Sequence, residues 1–178
     1  MNTKQVENLL RSDCKSSLIF EGVFASDRIP IVCETKTAMV LNFDPYAQTG
    51  SHWVGMYIEN GCGEYFDSYG MYPPITHFVN FLNRNCTSWS FNTEELQAID
   101  SEVCGHYCIW FLSERVRGRS MKEIVSRFSS DLKKNDLLVK ELVESRFGRI
   151  ASHFIDDDVT QQCCVTRNKL SNHFHFIR

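Results

Sequence analysis

A cysteine followed by glycine, Cys104-Gly105, opens a stretch whose apolar residues recur at helical spacing. The unpaired amides and the dipole at a helix N-terminus stabilise an anion, so a thiol placed there ionises more readily than a free thiol. Gly105 leaves room for backbone or a ligand to approach closely. This arrangement is typical of a cysteine that acts as a nucleophile, and Cys104 is the candidate.

His52 and Asp67 are predicted to share one face of a β-hairpin. The dipeptide Asn60-Gly61 is a strong signal for a two-residue turn between them. In that register His52 lies opposite Tyr69 and diagonal to Asp67, with backbones roughly 7–8 Å apart. A carboxylate at that distance can accept the proton of one imidazole nitrogen and leave the other nitrogen as a base.

Gln97 precedes Cys104 by seven residues, across a short polar loop. A side-chain amide beside the backbone N–H of the cysteine would form a two-donor oxyanion hole. The four residues together predict acyl transfer by a cysteine peptidase. Cys104 would be the nucleophile, His52 its base, Asp67 the residue that orients the base, and Gln97 the oxyanion donor.

Each of these residues also has a purely structural interpretation. A histidine on a strand is more often structural, a buried cysteine is usually an inert apolar residue, and Asp67 could only form a turn. The alternative from another class is a non-catalytic, cysteine-rich metal-binding protein. Cysteines stand at eight positions, 14, 33, 62, 86, 104, 108, 163 and 164, but no C-x-x-C pair is among them. We therefore expect no metal.

The elements that must position these residues follow from hydrophobic patterning and turn residues. Helices are predicted at 3–12, 75–83, 104–117, from Ser120 and at 131–147, and strands at 37–43, 52–58, 65–69 and 88–91. Asp100 or Ser101 is expected to cap the helix that begins at Cys104, and Ser120 with Glu123 to form a capping box. Strands in the middle with helices at both ends indicate an α+β domain over 1–155, followed by a tail or appendage at 156–178.

Bulk composition excludes several classes of function. The chain has 178 residues, a formal net charge of −3 and a pI of about 6.1, which gives no general reason to expect nucleic acid as a partner. No apolar run approaches membrane-spanning length, and the first residues do not resemble a signal peptide. We expect a soluble, intracellular monomer with reduced thiols and no membrane partner.

The motifs resemble those of the adenovirus-type cysteine proteases and, more distantly, of the SUMO-deconjugating proteases. The shared order is His52-Trp53, then Phe66-Asp67-Ser68-Tyr69-Gly70, then Gln97, then Cys104-Gly105-His106-Tyr107-Cys108. The opening, with Phe20-Glu21-Gly22-Val23-Phe24 and Asp27-Arg28-Ile29-Pro30, is also similar to the adenovirus branch. The compact length resembles proteases of Maverick/Polinton elements and related DNA viruses.

The resemblance implies an adenain-like, papain-type cysteine protease fold with a central mixed sheet packed by helices. It also implies cleavage of viral or element-encoded capsid and core precursors during particle maturation, with a location in a virion or in the host nucleus. The family's activating peptide stays open as a partner. Because the chain is acidic overall, we expect no DNA cofactor.

A second substrate class follows from the same motifs. The SUMO branch removes ubiquitin-like modifiers, and both branches accept a Gly-Gly-like end in a narrow cleft. The motifs therefore leave a deubiquitinase or SUMO-like deconjugating protease open as an alternative to a maturation protease.

Overall fold

The computed structural model describes residues 1–48 and 50–151, so the predicted tail at 156–178 lies outside the described residues. The helices are α1 (Thr3–Ser12), α2 (Thr76–Asn85), α3 (Cys104–Arg115), α4 (Met121–Val125) and α5 (Leu132–Ala151). The strands are β1 (Phe20–Phe24), β2 (Lys36–Asn42), β3 (Trp53–Glu59), β4 (Cys62–Phe66) and β5 (Ser88–Phe91).

The five strands form one mixed sheet in the order β1-β2-β3-β4-β5. The two outer pairs, β1 with β2 and β4 with β5, are parallel, and the two inner pairs are antiparallel. Helix α3 packs on one face of this sheet against β3, with α1 and α5 beside it. The predicted α+β class with a central mixed sheet is confirmed.

The hairpin between β3 and β4 has the predicted register. Asn60 and Gly61 take φ angles of 51° and 76°, the left-handed values that a tight hairpin turn requires, and Glu59 pairs with Cys62. The prediction of the returning strand at 65–69 was wrong in its bounds, because β4 runs from Cys62 to Phe66. Asp67 begins a turn instead, closed by a 2.9 Å hydrogen bond from the Gly70 N–H to the Asp67 carbonyl.

Two apolar clusters fill the space on either side of the sheet. One lies between the sheet and α1, α3 and α5, and the rings of Phe66 and Phe111 stack there with centroids 4.5 Å apart. The other is built on Met39, Met56 and the residues of α2 that face the sheet. Because α3 is held on the sheet by the first cluster, its N-terminus has a fixed position relative to the ends of β3 and β4.

Helix α3 begins at Cys104, as predicted, but its predicted cap was wrong. Val103 occupies the N-cap position, and no side chain of the described part of the chain caps that end. The unpaired amides are therefore left for another acceptor, which neither Asp100 nor Ser101 supplies. The capping box of Ser120 and Glu123 at the start of α4 is confirmed.

Candidate active site

His52 and Asp67 meet at the open end of the hairpin. His52 directly precedes β3 and Asp67 directly follows β4, so the antiparallel pairing places them side by side. The His52 Nε2 atom lies 2.8 Å from Asp67 Oδ1, and both side chains are buried. This contact fixes the ring's orientation and leaves Nδ1 for a second partner.

Two aromatic rings hold the imidazole from its sides. The Phe43 ring meets it edge-on, with centroids 4.8 Å apart, and the Tyr69 ring lies tilted against it at 4.9 Å. These contacts restrict rotation of the His52 ring and keep water away from it. Phe43 was not among the predicted site residues, because a phenylalanine next to a strand carries no signal that separates it from the core.

Cys104 occupies the first position of α3 with its thiol half-buried. Burial raises the pKa of Cys104, but the His52 ring and the backbone groups of Trp53 and Gly105 outweigh it, and the net pKa is lowered. Burial likewise lowers the pKa of His52, yet its contacts with Asp67 and Cys104 raise that pKa to about 9. The pair therefore favours a thiolate beside an imidazolium.

Cys108, one helical turn further on, shows the opposite behaviour. Its thiol is buried in the apolar cluster beneath α3, and this burial raises its pKa well above the ordinary value. The structural interpretation of a buried cysteine thus fits Cys108, which packs as a small apolar residue. The two cysteines of this motif have different environments because only Cys104 lies at the helix terminus.

The side chain of Gln97 is buried and fully hydrogen-bonded. Ser68 Oγ donates to its Oε1 at 2.8 Å, so the amide nitrogen must point the other way. That nitrogen donates to the Ser101 carbonyl at 2.8 Å and to the Tyr69 hydroxyl at 3.2 Å. Through Tyr69, which contacts His52, the structure brings Gln97 into the same constellation as the other predicted residues.

Asn92 holds the backbone of Asp67 on both sides. Its Oδ1 accepts from the Asp67 N–H at 2.9 Å, and its Nδ2 donates to the Asp67 carbonyl at 2.7 Å. The two residues follow the parallel strands β4 and β5, so the Asn92 side chain continues the ladder where the strands end. Asn92 was not predicted to belong to the site, since its partner is distant in sequence.

We expect Asn92→Ala to destabilise the fold by about 1–3 kcal/mol, because it leaves the buried N–H of Asp67 without a partner and removes one of the two donors to the Asp67 carbonyl. Urea unfolding measures the loss. Asn80→Ala, at an exposed position on α2, is the matched control and should cost nothing comparable. Equal stability of the two variants would show that the Asn92 contacts are dispensable.

The face of Trp53 packs directly on Gly105. A Cβ atom at position 105 would lie 2.7 Å from the Trp53 ring, a distance that a well-packed interior does not accommodate, and would also be in contact with Val6 at 3.4 Å. Because residue 105 has no side chain, β3 and the preceding His52 can lie against the beginning of α3. The Trp53 residue also packs against the apolar cluster that includes Val6 of α1.

Within residues 1–48 and 50–151, no group of three or more His, Cys, Asp or Glu side chains is placed to hold a metal ion. The six cysteines of this part of the chain are all unpaired thiols. None of the helices described is both long and apolar enough to cross a membrane.

Comparison with known proteins finds sequence similarity to a viral protein. No protein-family model matches the chain. Over 100 residues, 50% of the chain, it is 35% identical to a protein of Acanthamoeba polyphaga mimivirus whose name describes it as a thiol protease. The match covers 33% of that protein, so the chain spans about a third of its relative's length.

Two solved structures resemble the fold. ChlaDub1 from Chlamydia trachomatis matches with a TM-score of 0.51 and 14% identity, covering 67% of this chain and 62% of that one. A crystal structure of an ASFV protease matches with a TM-score of 0.45 and 23% identity, covering 63% and 44% respectively.

The fold is that of the adenain and SUMO-protease-like cysteine proteases, as the motifs predicted. The mimivirus match confirms the predicted relationship to the cysteine proteases of DNA viruses, at a distance.

Proposed function

We propose that this chain is a cysteine peptidase in which Cys104 is the nucleophile, His52 the acid and base, and Asp67 the residue that orients His52. The observation that carries the proposal is the buried 2.8 Å contact between His52 and Asp67 beside the thiol at the start of α3. A thiolate at a helix terminus, paired with an oriented imidazolium, is the arrangement that thiol-dependent acyl transfer requires.

The proposed reaction has two steps. In the first, the Cys104 thiolate attacks the scissile carbonyl carbon, the C–N bond breaks, and His52 gives its proton to the leaving amine. In the second, His52 takes a proton from water, the resulting hydroxide attacks the thioester, and the acid product leaves as Cys104 regains its thiolate. The backbone N–H of Cys104 would stabilise the oxyanion of both tetrahedral intermediates, together with Gln97 Nε2, whose longer contact, 3.2 Å to the Tyr69 hydroxyl, would give way to the oxyanion.

The thiolate can be tested directly by labelling with iodoacetamide at pH 6. Because the pKa of Cys104 is lowered, we expect this thiol to react faster than the other seven, as peptide mapping by mass spectrometry would show. His52→Ala removes the cationic partner and should slow labelling of Cys104 toward the rate of the exposed Cys14. Uniform labelling of all cysteines in the unsubstituted chain would contradict the proposed ion pair.

For the substrate, we propose viral or element-encoded precursor proteins that are cleaved during particle maturation. The sequence relationship to a viral thiol protease supports this choice, together with the resemblance of the opening residues to the adenovirus branch. Incubation with candidate capsid precursors, with Cys104→Ser as the inactive control, tests it. Discrete fragments formed only by the unsubstituted chain are the expected result.

Removal of a ubiquitin-like modifier is the second candidate. The likeness of the fold to that of ChlaDub1 favours it. The two candidates share their chemistry and differ only in the protein that is cleaved. Release of ubiquitin or SUMO from a C-terminal fusion, with capsid precursors left intact, would select deconjugation.

A further inference from the structure

Residues 96–98 form a buried, irregular segment between exposed neighbours. Leu96, Gln97 and Ala98 are all buried, whereas residues 93–95 and 99–100 are exposed. Since the segment belongs to neither a helix nor a strand, its backbone groups need partners from elsewhere in the chain. Those partners determine where the Gln97 side chain is held.

On the side facing the hairpin, Ser68 supplies the partner. Its carbonyl accepts from the Leu96 N–H at 2.8 Å and from the Gln97 N–H at 3.1 Å. Its hydroxyl also donates to the Gln97 side chain. The hydroxyl contact fixes the orientation of the Gln97 amide. Ser68 supplies no partner for the Leu96 carbonyl or the Ala98 N–H.

On the opposite side, α3 and α5 supply the remaining partners. The Leu96 carbonyl accepts from the Tyr107 hydroxyl at 2.8 Å and from Asn135 Nδ2 at 3.1 Å. The Ala98 N–H donates to one carboxylate oxygen of Asp136 at 3.3 Å, and the other oxygen lies 3.1 Å from the Tyr107 hydroxyl. Tyr107, Asn135 and Asp136 are themselves buried.

Packing acts beside these hydrogen bonds, since Leu96 belongs to the apolar cluster beneath α3. A cavity of about 580 Å³ opens next to the segment, bounded by residues 91–96 on one side and by residues of α4 and 128–130 on the other. Of the three residues of the segment, only Leu96 lines this cavity. The buried polar groups of Tyr107, Asn135 and Asp136 restrain the backbone on either side of Gln97.

We propose that Asp136, acting with Tyr107, is a positioning residue for Gln97. Its hydrogen bond with the Ala98 N–H holds the backbone after Gln97 against α5. This contact keeps the side-chain amide of Gln97 where an oxyanion would form. The proposal rests on the peptidase function proposed above and assigns to it residues that lie outside the predicted constellation.

Asp136→Ala is expected to lower kcat for a fluorogenic peptide ending in Gly-Gly by roughly 10- to 100-fold, since small displacements of a positioned group have effects of that size. Asp136→Asn should retain most of the activity, because its amide can still accept from the Ala98 N–H and donate to Tyr107. The pH profile of Cys104 alkylation should not change in either variant, since no oxyanion forms in that reaction.

A double-mutant cycle separates positioning from general loss of stability. In a Gln97→Ala background, Asp136→Ala should cost no further activity, because the donor that it positions is gone. Lys133→Ala is the matched control: it removes an exposed ion pair with Asp100 between the same two segments and should leave kcat within about twofold. If Asp136→Ala unfolds the chain, Tyr107→Phe, which removes one hydroxyl, takes its place in the cycle.

Two outcomes overturn the proposal while leaving the peptidase function intact. In the first, the double variant loses kcat by the product of the two single-variant factors. In the second, Asp136→Ala alone leaves kcat unchanged. The activity of the unsubstituted chain tests the peptidase function itself. If the unsubstituted chain cleaves neither the peptide nor any protein candidate, the peptidase function fails, and the role of Asp136 fails with it.

Discussion

Replacing Cys104 by serine is expected to abolish peptide cleavage while the chain stays folded. Serine is nearly isosteric with cysteine, so the packing at the start of α3 should be preserved. Its hydroxyl, however, has a pKa far above that of a thiol, so His52 cannot hold it as an anion. Initial rates with the Gly-Gly peptide measure the loss, and urea unfolding measures the stability of the variant.

Two further cysteines provide matched controls for this substitution. Cys14→Ser changes an exposed thiol and should leave both rate and stability unchanged. Cys108→Ser places a hydroxyl in the apolar cluster beneath α3 and should lower stability more than the rate constant. Residual cleavage by Cys104→Ser at the level of the Cys14 variant would assign the nucleophile to another residue.

Gln97→Ala is expected to lower kcat by roughly 10²–10³, the effect of losing one oxyanion donor. The Michaelis constant should change little, because the amide is needed by the transition state more than by the bound substrate. The variant also leaves Ser68 and the Ser101 carbonyl without their partner, so a stability loss of about 1–3 kcal/mol should accompany the kinetic one. Rates are therefore compared at a temperature at which both proteins are folded.

Gln97→Glu sharpens this test because it keeps the shape of the side chain. Ser68 can still donate to one carboxylate oxygen, but the other oxygen can donate neither to the Ser101 carbonyl nor to the developing oxyanion. A loss as large as that of Gln97→Ala would show that donation by the amide is what matters. Turnover unchanged in both variants would remove Gln97 from the oxyanion hole.

Much of the hairpin could be predicted from local sequence. Asn60-Gly61 determines both the turn and the register, because few other residues adopt two successive left-handed conformations. From that register the proximity of His52 and Asp67 follows, and the 2.8 Å contact agrees with it. The start of α3 at Cys104 could be predicted equally well, because the spacing of its apolar residues is a local feature of the sequence.

The residues that hold the site in place could not be predicted in the same way. Asn92 bonds to Asp67 across 25 positions and Asp136 to Ala98 across 38, and neither contact leaves a periodic pattern. The end of β4 was missed because Tyr69, a good strand former, lies in a turn that the Asp67 side chain stabilises by accepting from its N–H. Tertiary contacts decide these features, and local propensity does not report them.

The contact between Trp53 and Gly105 has a consequence for how the chain can vary. The hairpin carries His52 and α3 carries Cys104, the two members of the proposed catalytic pair, and the absence of a side chain at Gly105 allows their close approach. A larger residue at position 105 would push the hairpin away from α3. The distance between the Cys104 sulfur and the His52 imidazole would then increase, although the new side chain would contact neither. We therefore expect the size of the residue at position 105 to govern the reactivity of the Cys104 thiol.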